Sequence, residues 1–499
     1  MPASGATNSE KTGLAYWMDR VLEEHAKLGD HLSAEPVHDV RVALRRCILI
    51  AEFMKDLDPG GDWKPMRKAG RRLFRQLGAL RDTQVLTEWV ERLGTPGEAS
   101  TVSLQEGLKA KCERERATAQ KAAREFDRKE WRVWATDLNG RFNHMASDRP
   151  ACEALALETW EAVRDLYRRA QRNRSRVAYH QLRVELKKFR YAVENLLPSL
   201  YPGWAHDLKF LQDLLGEIHD LDVLSQIIVK SRRHSDEATR TLWAKRLEVE
   251  RAPRLQQYRA KMAGKSSLLW IWRDGLPVER KMRSVGLAKL AAWACFVTPD
   301  FPRVRRVAKF ALQIYDGFAN CGQTRHDSEI EERFILHAAA LLQEVGLFRK
   351  SKKAYHKESY RMIRGTTPPV GWSKSDLALV ALVARFHRRA LPHLHRKILE
   401  TYQLPLRQSL VLLAAILRLA NAFATKPYRG VRRLEVENCS GVIIVRAEGY
   451  IETEPLASKL SVARGLMESA CNHPVHILAP GAPIMAPRLV QQATRSDAA

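Results

Sequence analysis

Val37-His38-Asp39-Val40-Arg41-Val42-Ala43-Leu44-Arg45-Arg46 returns later in the chain, in the same register, as Tyr179-His180-Gln181-Leu182-Arg183-Val184-Glu185-Leu186-Lys187-Lys188. Both copies read His-x-x-Arg-Val-x-Leu followed by two basic residues. A second match follows each copy: Leu77-Gly78-Ala79-Leu80-Arg81-Asp82 with Val85-Leu86, against Leu215-Gly216-Glu217-Ile218-His219-Asp220 with Val223-Leu224. Two paired motifs in the same order indicate an internal duplication, so one half predicts the architecture of the other.

At 100° per residue, His38, Arg41 and Arg45 fall within about 60° of one another, while Val40, Leu44, Cys47, Ile48 and Ala51 gather opposite. The second copy places His180, Arg183 and Lys187 on one face and Leu182, Leu186, Phe189 and Val193 on the other. Lys188 and Arg190 widen its charged band. The pattern predicts two amphipathic helices with basic stripes, neither matched by acidic residues at i+4 on its own face. A histidine opening each stripe can donate a ring N–H to a phosphate oxygen. Arginine adds a planar two-pronged donor and lysine a point charge. Asp82 and Asp220 read as helix caps or as groups that orient an arginine.

The chain has 499 residues, enough for two or three domains. Lys and Arg number 83 against 57 Asp and Glu, a formal charge of +26 that predicts a polyanionic partner without choosing one. The polar start, Met1 to Thr12, lacks the pattern of a signal peptide. The longest unbroken apolar runs, Leu377–Ala384 and Leu410–Leu417, fall short of the roughly 20 residues of a membrane helix. Seven scattered cysteines without a CxxC pair argue against zinc sites and a disulfide framework, and point to a reducing cytoplasm.

The two repeated segment pairs resemble the signature halves of the CHAD family over roughly residues 10 to 270. The resemblance implies helical bundles related by a pseudo-twofold axis, with a basic groove between them that binds inorganic polyphosphate. Carried over by position, the ligand-facing set is His38, Arg41, Arg45 and Arg46, then His180, Arg183, Lys187, Lys188 and Arg190. Arg75, Arg81, Lys209 and His219 on the following helices are further candidates. The linking stretch Ser100–Arg176 reads as charged and helical, mostly solvated surface, with Trp131, Trp134 and Trp160.

The pattern changes near Pro277–Arg283, and apolar helices resume at Val285–Val297. From Pro302 to Ala424 the chain resembles the helical HD-type region of the exopolyphosphatase and guanosine pentaphosphatase family, through Arg303–Phe318, His337–Phe348, His356–Ile363 and Leu379–Leu394. An HD phosphohydrolase needs His, then His-Asp, then a distant Asp, to hold the metal that activates water. Here the first position is Arg303, or Arg306 in a shifted register; the pair is Gln343-Glu344; the last is Asn421. His337, His356, His387, His393 and His395 read as scattered core or surface residues, so no metal or other cofactor is expected. The family's actin-like catalytic part and any G-x-x-x-x-G-K-[ST] loop are missing from the sequence. Arg349, Lys350, Lys352, Lys353, Lys357 and His356 form a dense basic run.

These readings predict a mainly α chain: a duplicated helical domain at 10–275, an HD-like helical domain at 284–428, a small α+β cap at 429–480 and a disordered tail at 481–499. The cap is drawn from short strands at Leu434–Val436, Val442–Val445 and Val475–Leu478, with a helix near Pro455–Cys471. The expected function is non-catalytic binding of polyphosphate in the cytoplasm, on polyphosphate granules or beside a polyphosphate-metabolising enzyme. The alternatives are a polyphosphate or nucleotide phosphohydrolase and a general polyanion or RNA binder. Stacking aromatics interleaved with charge, the mark of single-strand binding, are sparse in the repeats, where Phe189 and Tyr191 follow the second basic stripe, Tyr179 precedes it, and Phe189 faces the core.

Overall fold

The computed structural model describes residues 13–29, 32–230, 237–322, 331–349, 354–388, 397–425, 430–451 and 453–482. His393, His395, Lys350, Lys352, Lys353, the first twelve residues and the tail from 483 lie outside them. The chain divides into two compact units, 1–297 with 367–373, and 298–366 with 374–499. The division follows Val297 rather than falling between 275 and 284. The helix expected to open the second domain packs instead on a helix of the first.

In the first unit, α1 (Leu14–Ala26), α2 (Ala34–Leu57), α3 (Trp63–Leu93) and α4 (Ala99–Arg124) pack each on the next. After α5 (Arg128–Ala146), the same succession recurs in α6 (Arg149–Asn173), α7 (Arg176–Leu196), α8 (Tyr201–Lys230) and α9 (Glu237–Met262). The duplication in sequence is thus a duplication in packing. The halves meet where α2 packs on α7 and α3 on α8. At one end of this seam Leu86, Trp89, Val90 and Leu108 from the first half join Leu221, Leu224, Ile228, Trp243 and Leu247 from the second in one apolar cluster. Such contiguous burial is the main term holding two bundles together. Two short helices, α10 (Leu268–Asp274) and α11 (Arg280–Val297), complete the unit, α11 lying along α6.

The linker between the repeats carries more core than its charge suggests. Trp131 and Trp160 are fully buried, with Trp131 Nε1 donating to the Met18 carbonyl at 3.2 Å and Trp160 Nε1 to that of Leu269 at 3.0 Å. Asp127 and Asp148 cap α5 and α6 by accepting from backbone N–H groups of their first turns, which breaks the stretch into separate helices.

The second unit contains α12 (Phe301–Asn320), α13 (Glu332–Leu342), a 3-10 turn (Val345–Phe348), α14 (Tyr355–Gly365), α15 (Lys374–Arg385) and α16 (Leu404–Phe423). It ends in β1 (Arg433–Cys439), β2 (Val442–Glu448), α17 (Glu454–Cys471) and β3 (Val475–Leu478). β2 is the central strand, antiparallel to β1 and parallel to β3. Ser440 and Gly441, with φ of 51° and 84°, form the two-residue turn between β1 and β2, and Gly441 N–H donates to Asn438 Oδ1 at 3.1 Å. The fold is mainly α with this one small sheet among the described residues.

α16 carries the apolar run Leu410–Leu417 into the core of its unit. With Arg407 and Arg418 as its only charges, Leu404–Phe423 has an apolar window of mean hydropathy 1.4, long enough by length and composition to cross a membrane. Yet 67% of that window is buried, and the helix packs on α12, α13, α15 and α17 as the core of its unit.

Candidate anion site

The seam between the repeats opens into a cavity of about 470 Å³, whose polar and aromatic lining is Arg41, Arg45 and Glu52 from α2, Arg71, Phe74 and Asp82 from α3, His180, Arg183, Lys187, Lys188 and Tyr191 from α7, and His219 and Asp220 from α8. The two basic stripes therefore face one space. Their apolar sides explain why: Val40, Ala43, Leu44 and Cys47 of α2, and Leu182, Leu186 and Phe189 of α7, are buried in the two bundles. That burial turns the basic faces toward the seam.

Arg41 and its counterpart Arg183 sit deepest. The Arg41 side chain is only 12% exposed, its Nη2 lies 3.6 Å from Asp82, and its Nη1 is buried without a hydrogen-bond partner. The motif glycine makes room for it, since a Cβ on Gly78 would stand 2.7 Å from that Nη1. In the second copy Gly216 also faces Arg183, whose Nε is likewise unpartnered, but a Cβ there would stand 3.8 Å from that Nε, an ordinary contact. Each Leu-Gly pair in the downstream motif thus serves the arginine of the upstream one, a coupling invisible without the fold. Among the described residues, no carboxylate oxygen comes within 4 Å of Arg183 or Lys187. Arg41 and Arg45 both lie over the Phe74 ring, at 5.0 and 5.3 Å, and Arg45 Nη1 donates to the Tyr191 hydroxyl at 3.4 Å.

Crowded like charges in a dry site shift their protonation. Burial, with Arg183, Arg45 and Arg41 adding repulsion, holds the Lys187 ammonium well below its ordinary value. Arg41 is brought down to about 10 by burial and by Arg45, Arg81 and Arg183. His180 and His219 stack with ring centroids 4.4 Å apart and Nδ1 atoms at 3.2 Å, so one ring donates to the other. Burial, then Arg183 and Lys187, lowers both imidazoles, His219 to about 4. Burial raises Asp220 to about 6 against the pull of Arg183. Burial and mutual repulsion thus work against protonation of Lys187, His180 and His219 in this cavity.

Seven of the thirteen residues named from sequence line this cavity: Arg41, Arg45, His180, Arg183, Lys187, Lys188 and His219. The other six do not. Arg46 is a correction: it is 6% exposed, pairs bidentately with the buried Glu194 of α7 at 2.9 and 3.0 Å, and lies over the rings of Trp17 and Tyr191. It braces α2 against α7. His38, Arg75 and Lys209 are exposed outside the cavity lining. Arg81 is engaged by Glu88 at 2.8 Å, and Arg190 by Tyr201 and Gln212. Lys188, though it lines the cavity, has an acidic neighbour on its own helix, Glu185 at 2.8 Å. Asp82 and Asp220 lie inside α3 and α8, so neither is a cap. Arg71 joins the lining without having been singled out, because it precedes the repeated motif by two helical turns and has no mark of its own in the sequence.

In the second unit the four positions of the expected HD centre do converge. Arg303 bonds Glu344, and its Nη1 donates to Asn421 Oδ1 at 3.4 Å; Asn421 Nδ2 donates to Gln343 Oε1 at 2.6 Å. Of the two arginines considered for the first position, Arg303 is the one that reaches Glu344 and Asn421. His387 is buried, its Nδ1–H donating to the Ala384 carbonyl at 2.6 Å, which leaves Nε2 to accept from the Tyr355 hydroxyl at 3.0 Å. Among the described residues no three His, Cys, Asp or Glu side chains gather in metal-binding geometry.

Family comparison matches residues 16–229 to the CHAD domain and residues 296–439 to the Ppx/GppA phosphatase, domain III. No curated protein matches the chain. The first match lies wholly in the first unit; the second begins beside the unit border at 297 and lies in the second unit except for its first two residues and the segment 367–373. The chain thus joins a CHAD domain to a region of the Ppx/GppA domain III type, a combination that fits a polyphosphate-related function.

Proposed function

We propose that the first unit binds inorganic polyphosphate in the seam cavity and that the protein acts by binding rather than by turnover. The observation that carries this reading is the convergence of two duplicated basic stripes on one space, with Arg183 and Lys187 free of carboxylates within 4 Å among the described residues. A linear chain of phosphates needs rows of cationic donors and no base-reading surface, and its binding gains from counterion release. Arg41, Arg45, Arg183, Lys187 and Lys188 supply the charge, and His180 and His219 supply neutral donors that become charged as phosphate enters. The seven cysteines are unpaired, which suits a cytoplasmic protein, on polyphosphate granules or beside a polyphosphate-metabolising enzyme.

The test is titration of the purified chain with polyphosphate of defined lengths at fixed salt, in competition with RNA at matched phosphate concentration. Tight polyphosphate binding that RNA does not displace is the expected result. Equal competition would reduce the site to a general polyanion binder. Phosphate release from polyphosphate with Mg²⁺ or Mn²⁺, abolished by a substitution in the second unit, would replace the binding reading with a hydrolytic one.

A further inference from the structure

The second unit holds a cavity of about 530 Å³ at the site of the Arg303 network, walled by α12, α14, α16 and α17 and by the segment after α15. Four cations line it, Arg303, Arg388, Arg418 and Lys459, against one carboxylate, Glu344, which already accepts from Arg303. We propose that this cavity is a second binding site, for a small free phosphate anion of the orthophosphate or pyrophosphate class.

The groups are held ready rather than gathered by chance. Arg303 is fixed between Glu344 and the Asn421 amide, and Asn421 is itself tied to Gln343 and to the Leu417 carbonyl. Arg418 is anchored through Nε to the Phe386 carbonyl at 2.6 Å, with burial lowering its guanidinium to about 10. Arg388 stands over the Tyr355 ring at 5.7 Å, and Tyr355 in turn is oriented by its bond to His387. Both ring nitrogens of His387 are occupied, so the imidazole is a neutral spacer and not a ligand. Lys459, exposed on α17, adds a fourth cation to the lining. Guanidinium forks suit the paired oxygens of a phosphoryl group, and fixed donors bind without the entropy cost of ordering.

The test is calorimetric titration of the full chain with pyrophosphate. Arg388 and Lys459 are exposed, so the Arg388→Gln/Lys459→Gln variant should fold normally, as circular dichroism would check. The wild type should show a class of sites that this variant weakens at least tenfold. An Arg183→Glu/Lys187→Glu variant, with the seam cavity disabled, should retain that class. If Arg388→Gln/Lys459→Gln changes nothing in either background, the proposal fails, whatever the fate of the seam cavity. A response confined to long-chain polyphosphate, with none to pyrophosphate, would also overturn it.

Discussion

The two copies of the repeat begin from nearly the same ten residues and end in different jobs. In both, the first arginine of the stripe lies against a motif glycine and points into the seam cavity. One residue past the stripe the copies part: Arg46 is buried against Glu194 and braces the bundles, whereas Lys188 lines the cavity. The opening histidines part as well, His38 remaining outside the lining while His180 stacks on His219. Position 81 holds an arginine drawn away by Glu88, and its counterpart His219 faces inward. Duplication supplied two equivalent scaffolds; the neighbours of each copy decided which cation serves the ligand and which serves the fold.

The largest expected effect separates Arg46 from Lys188. Arg46→Met leaves the Glu194 carboxylate buried and unpaired and should cost about 3 kcal/mol in chemical unfolding, while Lys188→Met should leave stability nearly unchanged. If the two variants unfold alike, the bracing role of Arg46 is wrong. Next comes binding: Arg183→Glu with Lys187→Glu should weaken polyphosphate affinity about 100-fold, whereas the same reversal at the exposed Arg75 and Lys209 should do far less. Unchanged affinity in the first pair would remove the cavity as the site.

A finer comparison uses the glycines. Gly78→Ala forces the Arg41 guanidinium to move, while Gly216→Ala finds only ordinary contact with Arg183. The first should weaken polyphosphate binding about tenfold and the second by no more than about twofold. Both can be read from one titration series, and a reversed order would show that Arg183 rather than Arg41 depends on its glycine.

The smallest effect is pH dependence. His219 shares the cavity with Arg41, Arg45 and Glu52 from α2, Arg71 and Asp82 from α3, His180, Arg183, Lys187 and Lys188 from α7, and Asp220 on α8, and of these Arg183, His180 and Lys187 act on it most strongly. His219 titrates at about 4 and Asp220 at about 6 in the unliganded protein, and an entering polyanion raises both, so binding takes up protons. Affinity should rise roughly fivefold from about pH 8 to about pH 5.5, with proton uptake visible as a dependence of the measured heat on buffer ionisation. Asp220→Asn should bind more tightly at the alkaline end and flatten the profile. Stability is a poorer readout, because the two groups oppose each other. The lowered His219 loses stabilisation as pH falls from 6.5 toward 4, while the raised Asp220 gains it as pH falls from about 6 toward 3.8.

What the sequence by itself determined was periodic and local: the repeat, the amphipathic helices with a basic side, and the short strands of the small sheet. These were legible because helical spacing and motif order are properties of a contiguous stretch. Whether a cation on a basic stripe meets solvent, a buried carboxylate or a shared cavity depends on residues far along the chain. Glu194 claims Arg46 across 148 positions, and Asp58, fully buried beside α5, claims Arg141 across 83. The choice between Arg303 and Arg306 as the neighbour of Asn421 was likewise made in three dimensions, where Arg303 Nη1 reaches Asn421 Oδ1. Charge in a sequence counts how many cations there are; packing decides how many remain unpaired, because pairing is set by distance through space rather than along the chain.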